Sequence, residues 1–230
     1  GESRSTVAAI DLRSEDFSNE NHWRVVGLVT GAGEVQVKAE HLAKFNGKIT
    51  VGSGGALSGS GAVADHVVTA DVRAEVGASS NITARNIDVD AINRVEKNWL
   101  SGGADNIRGT TGGLVSGAGA SSDILLDTNT QIVIADGAVL NVVGDEINPG
   151  DLSLDALNDF VVKDKVSMIT GGALAGAGAN ITIDTTEDLA KVTIGAATLS
   201  ALGDVNISAR GVGDFAGQLN LETYGVGTVS

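Results

Sequence analysis

The chain lacks cysteine and is poor in proline, aromatic residues and basic residues. Its 230 residues include no Cys, one Pro, two Trp, one Tyr and four Phe. The absence of Cys excludes disulfide bonds and thiolate metal sites. No run of about 18 consecutive apolar residues occurs, which excludes a membrane-spanning helix. The first eleven residues also lack the apolar run of a signal peptide.

Basic charge is scarce relative to acidic charge. There are 15 Lys and Arg against 29 Asp and Glu, which gives a formal net charge of −14. A surface that follows a phosphate backbone needs clustered Lys and Arg, so nucleic acid is not expected as a partner. The acidity is typical of a solvated, extended surface.

Glycine and small or branched aliphatic residues dominate what is present. The chain has 32 Gly, and 42% of its residues are apolar. Glycine supplies tight bends with φ > 0 without steric strain. This composition indicates many short β-segments joined by bends, and it is too rich in branched aliphatics for a disordered linker.

A glycine signature of the form Gly-[Leu/Ala]-[Val/Leu]-x-Gly-[Ala/Ser]-Gly recurs along the chain. It opens at Gly27, Gly55, Gly113 and Gly172, at intervals of 28, 58 and 59 residues. The two longer intervals are close to twice the shorter one. A fixed period of this kind predicts a solenoid, in which each repeat stacks on its neighbours. We expect residues 1–230 to form one segment of a longer repeat protein.

Three copies of a strand, bend and strand pattern follow the signatures. In each copy apolar and polar residues alternate with a period of two, which places one face inside and one in water. The bends are predicted at residues 77–80, 135–138 and 195–197, with a further Asn-Gly turn at Asn46 and Gly47.

Stacking the strands about 4.8 Å apart would satisfy their backbone groups. The pattern therefore predicts an all-β, right-handed parallel β-helix, or β-solenoid, with loop insertions. Rungs of about 20 residues would give roughly 11 rungs and a rod on the order of 50 Å. Small residues such as Ala74, Ala91 and Ala209 are expected to face its narrow interior.

Several segments depart from the repeat and are predicted to be loops that leave the rod. They are residues 13–24 with Trp23, residues 90–112 with Trp99, and the denser apolar run 159–170. Because binding surfaces concentrate in loops on a rigid scaffold, Trp23 and Trp99 are the candidate binding-loop residues.

Motifs for chemistry are weak or absent. The GxGxxG-like stretch at Gly211 has no surrounding βαβ unit, and no Gly-x-Ser-x-Gly elbow or calcium-binding loop is present. His22, His41 and His66 are expected on different rungs, which disfavours a nucleophile and base pair. Asp88 and Asp90, or Glu187 and Asp188, are candidates to lie near carboxylates of adjacent rungs, but a solvated outer face is favoured over a cation site. We therefore predict no catalytic residue, cofactor or metal ligand, and no enzymatic activity.

The tracts Gly113–Gly119 and Gly172–Gly178, with residues 192–210, resemble the repeats of large bacterial filamentous adhesins of the filamentous-haemagglutinin-like and leukotoxin-like type. The resemblance covers most of the chain from Gly27 onward. It implies a secreted or cell-surface β-helical shaft, exported by two-partner secretion through an outer-membrane partner. It also implies a role in attachment between cells or to surfaces and in biofilm formation.

Three functions remain open from the sequence. The first is a structural shaft segment of such an adhesin, with lateral self-association of rods as a further expectation. The second is a carbohydrate- or receptor-binding module that uses loops 13–24 and 90–112 to bind surface glycans, matrix polysaccharide or other cells. The third is a β-helical polysaccharide-degrading enzyme, which would need carboxylates and basic residues aligned in a groove.

Overall fold

A computed structural model describes residues 22–25, 28–144 and 147–229 of the chain. Apart from one 3-10 turn at Ser101–Gly103, the regular structure in these ranges is β-strand. Within them, no helix has the length and apolarity that a membrane crossing requires. The strands in chain order are β1 (His22–Val25), β2 (Leu28–Lys44), β3 (Ile49–Gly54), β4 (Leu57–Val76), β5 (Asn81–Lys97), β6 (Ile107–Gly112), β7 (Val115–Ile134), β8 (Val139–Val142), β9 (Leu152–Gly171), β10 (Leu174–Ile194), β11 (Thr198–Ser200), β12 (Val205–Tyr224) and β13 (Gly227–Val229).

The strands form two sheets, and neighbouring strands in both are parallel. Sheet 1 has the order β1-β4-β7-β10-β13. Sheet 2 has the order β11-β8-β5-β9-β6-β3, with β2 paired to β5 and β12 paired to β9. Along the chain, passage through sheet 2 alternates with passage through sheet 1. We call one such pair of passages a circuit. The predicted all-β chain with parallel stacked strands is confirmed.

The signature interval is the stacking interval of sheet 1. Val115 pairs with Leu57 on one side and with Leu174 on the other, so equivalent signature residues lie beside one another. The signature at Gly27 is different, because the following Leu28 pairs with Asn81 in sheet 2. The short interval of 28 residues therefore relates two different sheets and is not a half repeat.

The predicted rung of about 20 residues is wrong. Single strands reach 20 or 21 residues, so one circuit takes more than twice the predicted length. Partners in sheet 2 confirm this spacing, with Leu28 opposite Asn81 and Ile87 opposite Leu152. The described residues contain four passages through sheet 2, made by β2 with β3, β5 with β6, β8 with β9, and β11 with β12, rather than roughly 11 rungs.

The core lies between the two sheets and follows the alternation of the strands. Side chains along β9 are buried and half-buried in turn, so Val162 is fully buried and Val161 faces outward. Two of the predicted small interior residues are fully buried, Ala74 in sheet 1 and Ala91 in sheet 2. Ala91 forms a row with its paired neighbours Ala39 and Ala156, which also have no exposure. Ala209 continues this row but is exposed, since it belongs to β12, the last described strand of its row.

The predicted bends are confirmed at each position. Residues 77–80, 135–138 and 195–197 separate β4 from β5, β7 from β8 and β10 from β11. Gly137 has φ of 72°, which is the left-handed conformation that glycine adopts without strain. Its amide donates to the carbonyl of Ala196 at 2.8 Å, so consecutive bends are bonded to each other as the strands are.

The predicted loops are only partly correct. Residues 90–97 continue β5 and residues 107–112 form β6, which leaves 98–106 as the loop. Residues 159–170 lie entirely inside β9. Of the predicted loop 13–24, residues 13–21 lie outside the described residues, and the segment from His22 belongs to β1. Inward-facing polar residues such as Asn93 on β5 and Asp164 on β9 interrupt the apolar pattern, so these parts of the two strands resemble loops in sequence.

Candidate functional site

The loop 98–106 is held against the turn at residues 45–48 by paired asparagines. Asn106 donates through Nδ2 to Oδ1 of Asn46 at 2.7 Å and to the carbonyl of Gly47 at 3.2 Å. Asn46 in turn donates to the carbonyl of Asn98 at 2.8 Å. The Asn106 Oδ1 accepts the Lys165 backbone N–H at 3.1 Å. These bonds join three successive passages of sheet 2 and fix the loop.

The two tryptophans predicted for binding are not brought to one site. Trp99 is half-buried in the loop 98–106, in the passage through sheet 2. The backbone of Trp23 pairs with Ala74 in sheet 1, close to the bend at residues 77–80. Only Trp99 therefore remains with a loop of the kind predicted.

A polar groove of about 340 Å³ opens beside the loop 98–106 on the outer side of sheet 2. Gly103, Ala104 and Asp105 contribute from the loop. The strands and the turn before β3 contribute the remaining lining residues, which are Lys48, Arg108, Lys165, Ser167, Ile169, Asn220 and Glu222. The groove is the place where residues from several circuits meet.

The charges of the groove are partly compensated. Lys165 bonds to Asp105 at 3.3 Å and to the carbonyl of Gly103 at 3.0 Å. Hydrogen bonds from Tyr224 at 2.6 Å and Asn220 at 3.1 Å lower the pKa of Glu222, which keeps it ionised.

Two cations of the groove have no ion pair with any described residue. They are Lys48 and Arg108, and both side chains are exposed. Arg108 is near enough to Glu222 to help lower the pKa of that carboxyl group. The groove therefore combines exposed positive charge with polar side chains in an otherwise acidic chain.

A second polar arrangement lies inside the molecule, between the sheets. Lys97, the last residue of β5, bonds through Nζ to Asp164 Oδ1 at 2.6 Å, and both side chains have no exposure. Ser122 of β7 donates its hydroxyl to Asp164 Oδ2. The Lys165 backbone N–H donates to Asp164 Oδ1 at 3.0 Å. Strands of both sheets therefore supply one buried ion pair and its hydrogen bonds.

His66 of β4 lies near this buried pair. Desolvation, followed by the positive charge of Lys97, lowers the pKa of His66 despite the opposing charges of Asp164 and Asp65. Its ring packs against Phe45 with centroids 5.2 Å apart. His66 is therefore expected to be neutral at pH 7.

A row of one half-buried histidine and two buried asparagines continues the interior polar region along the stack. His41, Asn93 and Asn158 occupy paired positions on β2, β5 and β9. His41 Nδ1 and Asn93 Oδ1 are 2.8 Å apart, Asn93 donates to Asn158 at 3.3 Å, and Thr130 of β7 donates to Asn158. Such rows satisfy buried polar groups only when the strands are in register.

The outer face of sheet 2 carries Asp88 and Asp90 close to other carboxylates. Desolvation, then Asp90 and Glu34, raises the pKa of Asp88, and desolvation is also the main cause of the raised pKa of Asp90. In the described part of the chain, no three His, Cys, Asp or Glu side chains are arranged to hold a metal ion.

Sequence reasoning missed both the groove and the buried cluster. No local sequence pattern predicts the groove, because its lining residues come from four passages of sheet 2. The buried cluster could have been predicted from the alternation of the strands. Lys97 lies two residues after Val95, and Asp164 two residues after Val162, so both charged residues are at inward-facing positions. A charged residue on an apolar strand face requires a buried partner.

No family model, curated protein or solved structure matches the chain. The functional argument therefore depends on the stacking, the groove and the buried cluster.

Proposed function

We propose that this chain is a shaft segment of a secreted or cell-surface bacterial adhesin, built as a right-handed β-solenoid of stacked circuits. The shaft holds adhesive parts of a larger protein away from the cell. In that role it contributes to attachment between cells or to surfaces and to biofilm formation. Export through an outer-membrane partner is part of the same proposal, which follows from the resemblance of the glycine tracts to filamentous adhesins.

The observation that carries the proposal is the strand pairing across circuits. β7 pairs along its whole length with β4, from Leu57 opposite Val115 to Val76 opposite Ile134. β12 pairs along its whole length with β9 in sheet 2. Each added circuit therefore extends both sheets by one passage without changing the cross-section, which favours a mechanical function, that of a long and stiff rod.

Modular extension tests the shaft. Three tandem copies of residues 113–171, one signature interval each, would be inserted after Gly171. We expect a folded chain that is longer by about 14 Å in the stacking direction, because each circuit adds one strand spacing. Small-angle X-ray scattering measures the length, and circular dichroism with thermal unfolding reports folding.

The matched control inserts residues 113–142, which form half a circuit, at the same point. This insertion places β10 directly after β8 and omits the passage of β9, so we expect loss of cooperative unfolding. If the full-circuit insertion behaves like the half-circuit insertion, the chain is not a modular shaft.

The groove favours a second function, a carbohydrate-binding module for acidic glycans. Lys48 and Arg108 are exposed and unpaired within the described residues, and the loop 98–106 forms one wall. Carboxylate or sulfate groups of a glycan would be bound by these cations, and Ser167 and Asn220 would contact hydroxyl groups.

A glycan array with acidic and neutral oligosaccharides tests the module, together with binding to whole bacterial cells. We expect the double variant Lys48→Ala and Arg108→Ala to bind acidic glycans at least about tenfold more weakly, since charged hydrogen bonds are the stronger ones. Trp99→Ala tests the loop, and Lys44→Ala, an exposed cation on β2, is the control. If the folded wild type binds neither glycans nor cells, only the proposed shaft function remains.

A further inference from the structure

The ion pair of Lys97 and Asp164 differs from the other ion pairs of the described residues. It alone has both side chains with no exposure, whereas the next most enclosed pair, Lys165 with Asp105, has exposures of 27% and 16%. Taking an ammonium and a carboxylate out of water is unfavourable, and mutual attraction offsets that cost only in part. A reaction that removes both charges would therefore be favoured at this position.

The environment of the pair excludes water on both sides along the strands. Val95 and Val162 belong to one apolar cluster, and Val166 and Ile107 belong to the next. Lys97 follows the first cluster on β5, and Asp164 lies between the two on β9. Enclosed, desolvated groups held in contact react far faster than the same groups in solution.

The hydrogen bonds of Asp164 distinguish its two oxygens. Oδ1 contacts Lys97 Nζ at 2.6 Å and also accepts the Lys165 backbone N–H at 3.0 Å. Oδ2 accepts only the Ser122 hydroxyl among the described contacts. A donor at the second oxygen is placed to stabilise negative charge that develops there during attack on the carboxyl carbon.

We propose that Lys97 and Asp164 form an intramolecular amide bond, a covalent cross-link between β5 and β9. The link depends only on the geometry of the pair and not on the proposed shaft function.

The reaction is a condensation that needs no oxidant, reductant or further reactant. Lys97 Nζ transfers one proton to Oδ1, and its lone pair then attacks Cγ of Asp164. The Nζ–Cγ bond forms, Oδ2 carries the negative charge beside Ser122, and a second proton passes from Nζ to Oδ1. The Cγ–Oδ1 bond breaks and Oδ1 leaves as water, so an ion pair becomes a neutral amide and one water molecule.

The position of the link gives it a mechanical consequence. β5 and β9 are neighbours in sheet 2 and belong to successive circuits. A covalent bond between them prevents these circuits from separating, even where backbone hydrogen bonds open. If the chain is a shaft, the link would resist unfolding under tension.

Mass spectrometry of the denatured chain tests the link directly. We expect the intact mass to be lower than the sequence mass by one water molecule. Tryptic digestion should give a branched peptide, in which Val95–Arg108, uncut at Lys97, carries Asp164–Lys165. Wild-type protein with the full sequence mass would overturn the proposal, as would a water loss that maps to a cyclised aspartate elsewhere.

Three variants test whether Lys97 and Asp164 are the linked residues. Lys97→Arg retains the positive charge but is expected to show no mass loss. Asp164→Asn should give the same branched peptide with loss of one ammonia molecule, because the side-chain amide is then the leaving group. Lys165→Arg is the matched control, which should leave the link intact because only its backbone N–H contacts Asp164.

Discussion

At the scale of single residues, the interior departs from the aliphatic pattern of the strands at Lys97 and Asp164. A buried charge is tolerated only beside a partner of opposite sign with its remaining hydrogen bonds satisfied. Here Asp164 has three such contacts, with the Lys97 ammonium, the Lys165 backbone N–H and the Ser122 hydroxyl. Removal of one partner is therefore more damaging than removal of both.

The first prediction compares the removal of one partner of the ion pair with the removal of both. Lys97→Met should lower the free energy of unfolding by about 3–5 kcal/mol, because it leaves the Asp164 carboxylate buried without its cation. Adding Asp164→Leu should restore the part of this loss that comes from the unpaired carboxylate. Urea denaturation followed by circular dichroism measures both.

The control is Lys44→Met, which removes the exposed pair of Lys44 with Glu96 at 2.9 Å. Exposed pairs contribute at most about 1 kcal/mol, so this variant should be close to wild type. Equal destabilisation by Lys44→Met and Lys97→Met would contradict the interpretation of the buried pair.

At the scale of strands and bends, alternation decides which side chain is inside. Val161 and Val162 are adjacent identical residues on β9 that face opposite sides of sheet 2. A shift of one residue would exchange them, so register is set by the apolar face together with the row of His41, Asn93 and Asn158. The bends hold the strands in phase, since successive bends bond to each other at Gly137 and Ala196.

The second prediction uses the two valines. Val162→Thr should destabilise the fold by about 1–3 kcal/mol, because an isosteric hydroxyl is placed in an apolar cluster without a partner. Val161→Thr makes the same chemical change on the outer face and should alter stability by less than about 0.5 kcal/mol. Equal effects on the thermal unfolding midpoint would show that the alternation on β9 is misassigned.

The third prediction concerns the acidic row on sheet 2. The pKa of Asp88 is higher in the folded state than in the unfolded state. At pH values between these two pKa values, the folded chain therefore binds more protons than the unfolded chain. Stability therefore falls as pH rises through that window. Asp88→Asn should stabilise the fold at pH 7, by under about 1 kcal/mol since the group is partly solvated.

Urea denaturation at neutral and acidic pH measures this effect. The gain should disappear below about pH 3, where the carboxyl group is protonated in both states. The groups that face Asp88 are Glu34, Asp90 and Asp151, all acidic. Asp184→Asn, an exposed change of equal charge on sheet 1, is the control. A gain of the same size at both pH values would rule out linkage to Asp88.

At the scale of the whole molecule, two parallel sheets share one core and grow together by stacking. The last described passage of sheet 2 shows what stacking contributes, because Ile207 and Leu219 on β12 are each 50% exposed while equivalent residues of β9 are buried. Burial depends on a strand on each side, so stability is concentrated in the middle circuits.

The fourth prediction belongs to this scale. Moderate salt should raise the thermal unfolding midpoint, because the net charge of −14 makes the folded stack repel itself and salt screens that repulsion. Thermal unfolding in about 10 mM and about 150 mM sodium chloride measures the shift, with sucrose at matched osmolarity as control. A lower midpoint in salt would mean that surface ion pairs outweigh the net repulsion.

The sequence alone determined the β-class of the chain, the bends at residues 77–80, 135–138 and 195–197, and the interval of the signatures at Gly55, Gly113 and Gly172. These features depend on local chemistry, on periods of two and on glycine in turns, and each can be read within a few residues.

Only the tertiary structure decided which signature stacks on which, the length of a circuit and the meeting of Lys97, Ser122 and Asp164. The signature at Gly27 differs from that at Gly113 only in Thr30 for Ser116, yet its strand joins the other sheet. Small residues fit a strand in either sheet, so the residue types of the signature do not specify the partner strand. Partners more than 50 residues apart are chosen by packing between whole strands, and the buried cluster exists only once that choice is made.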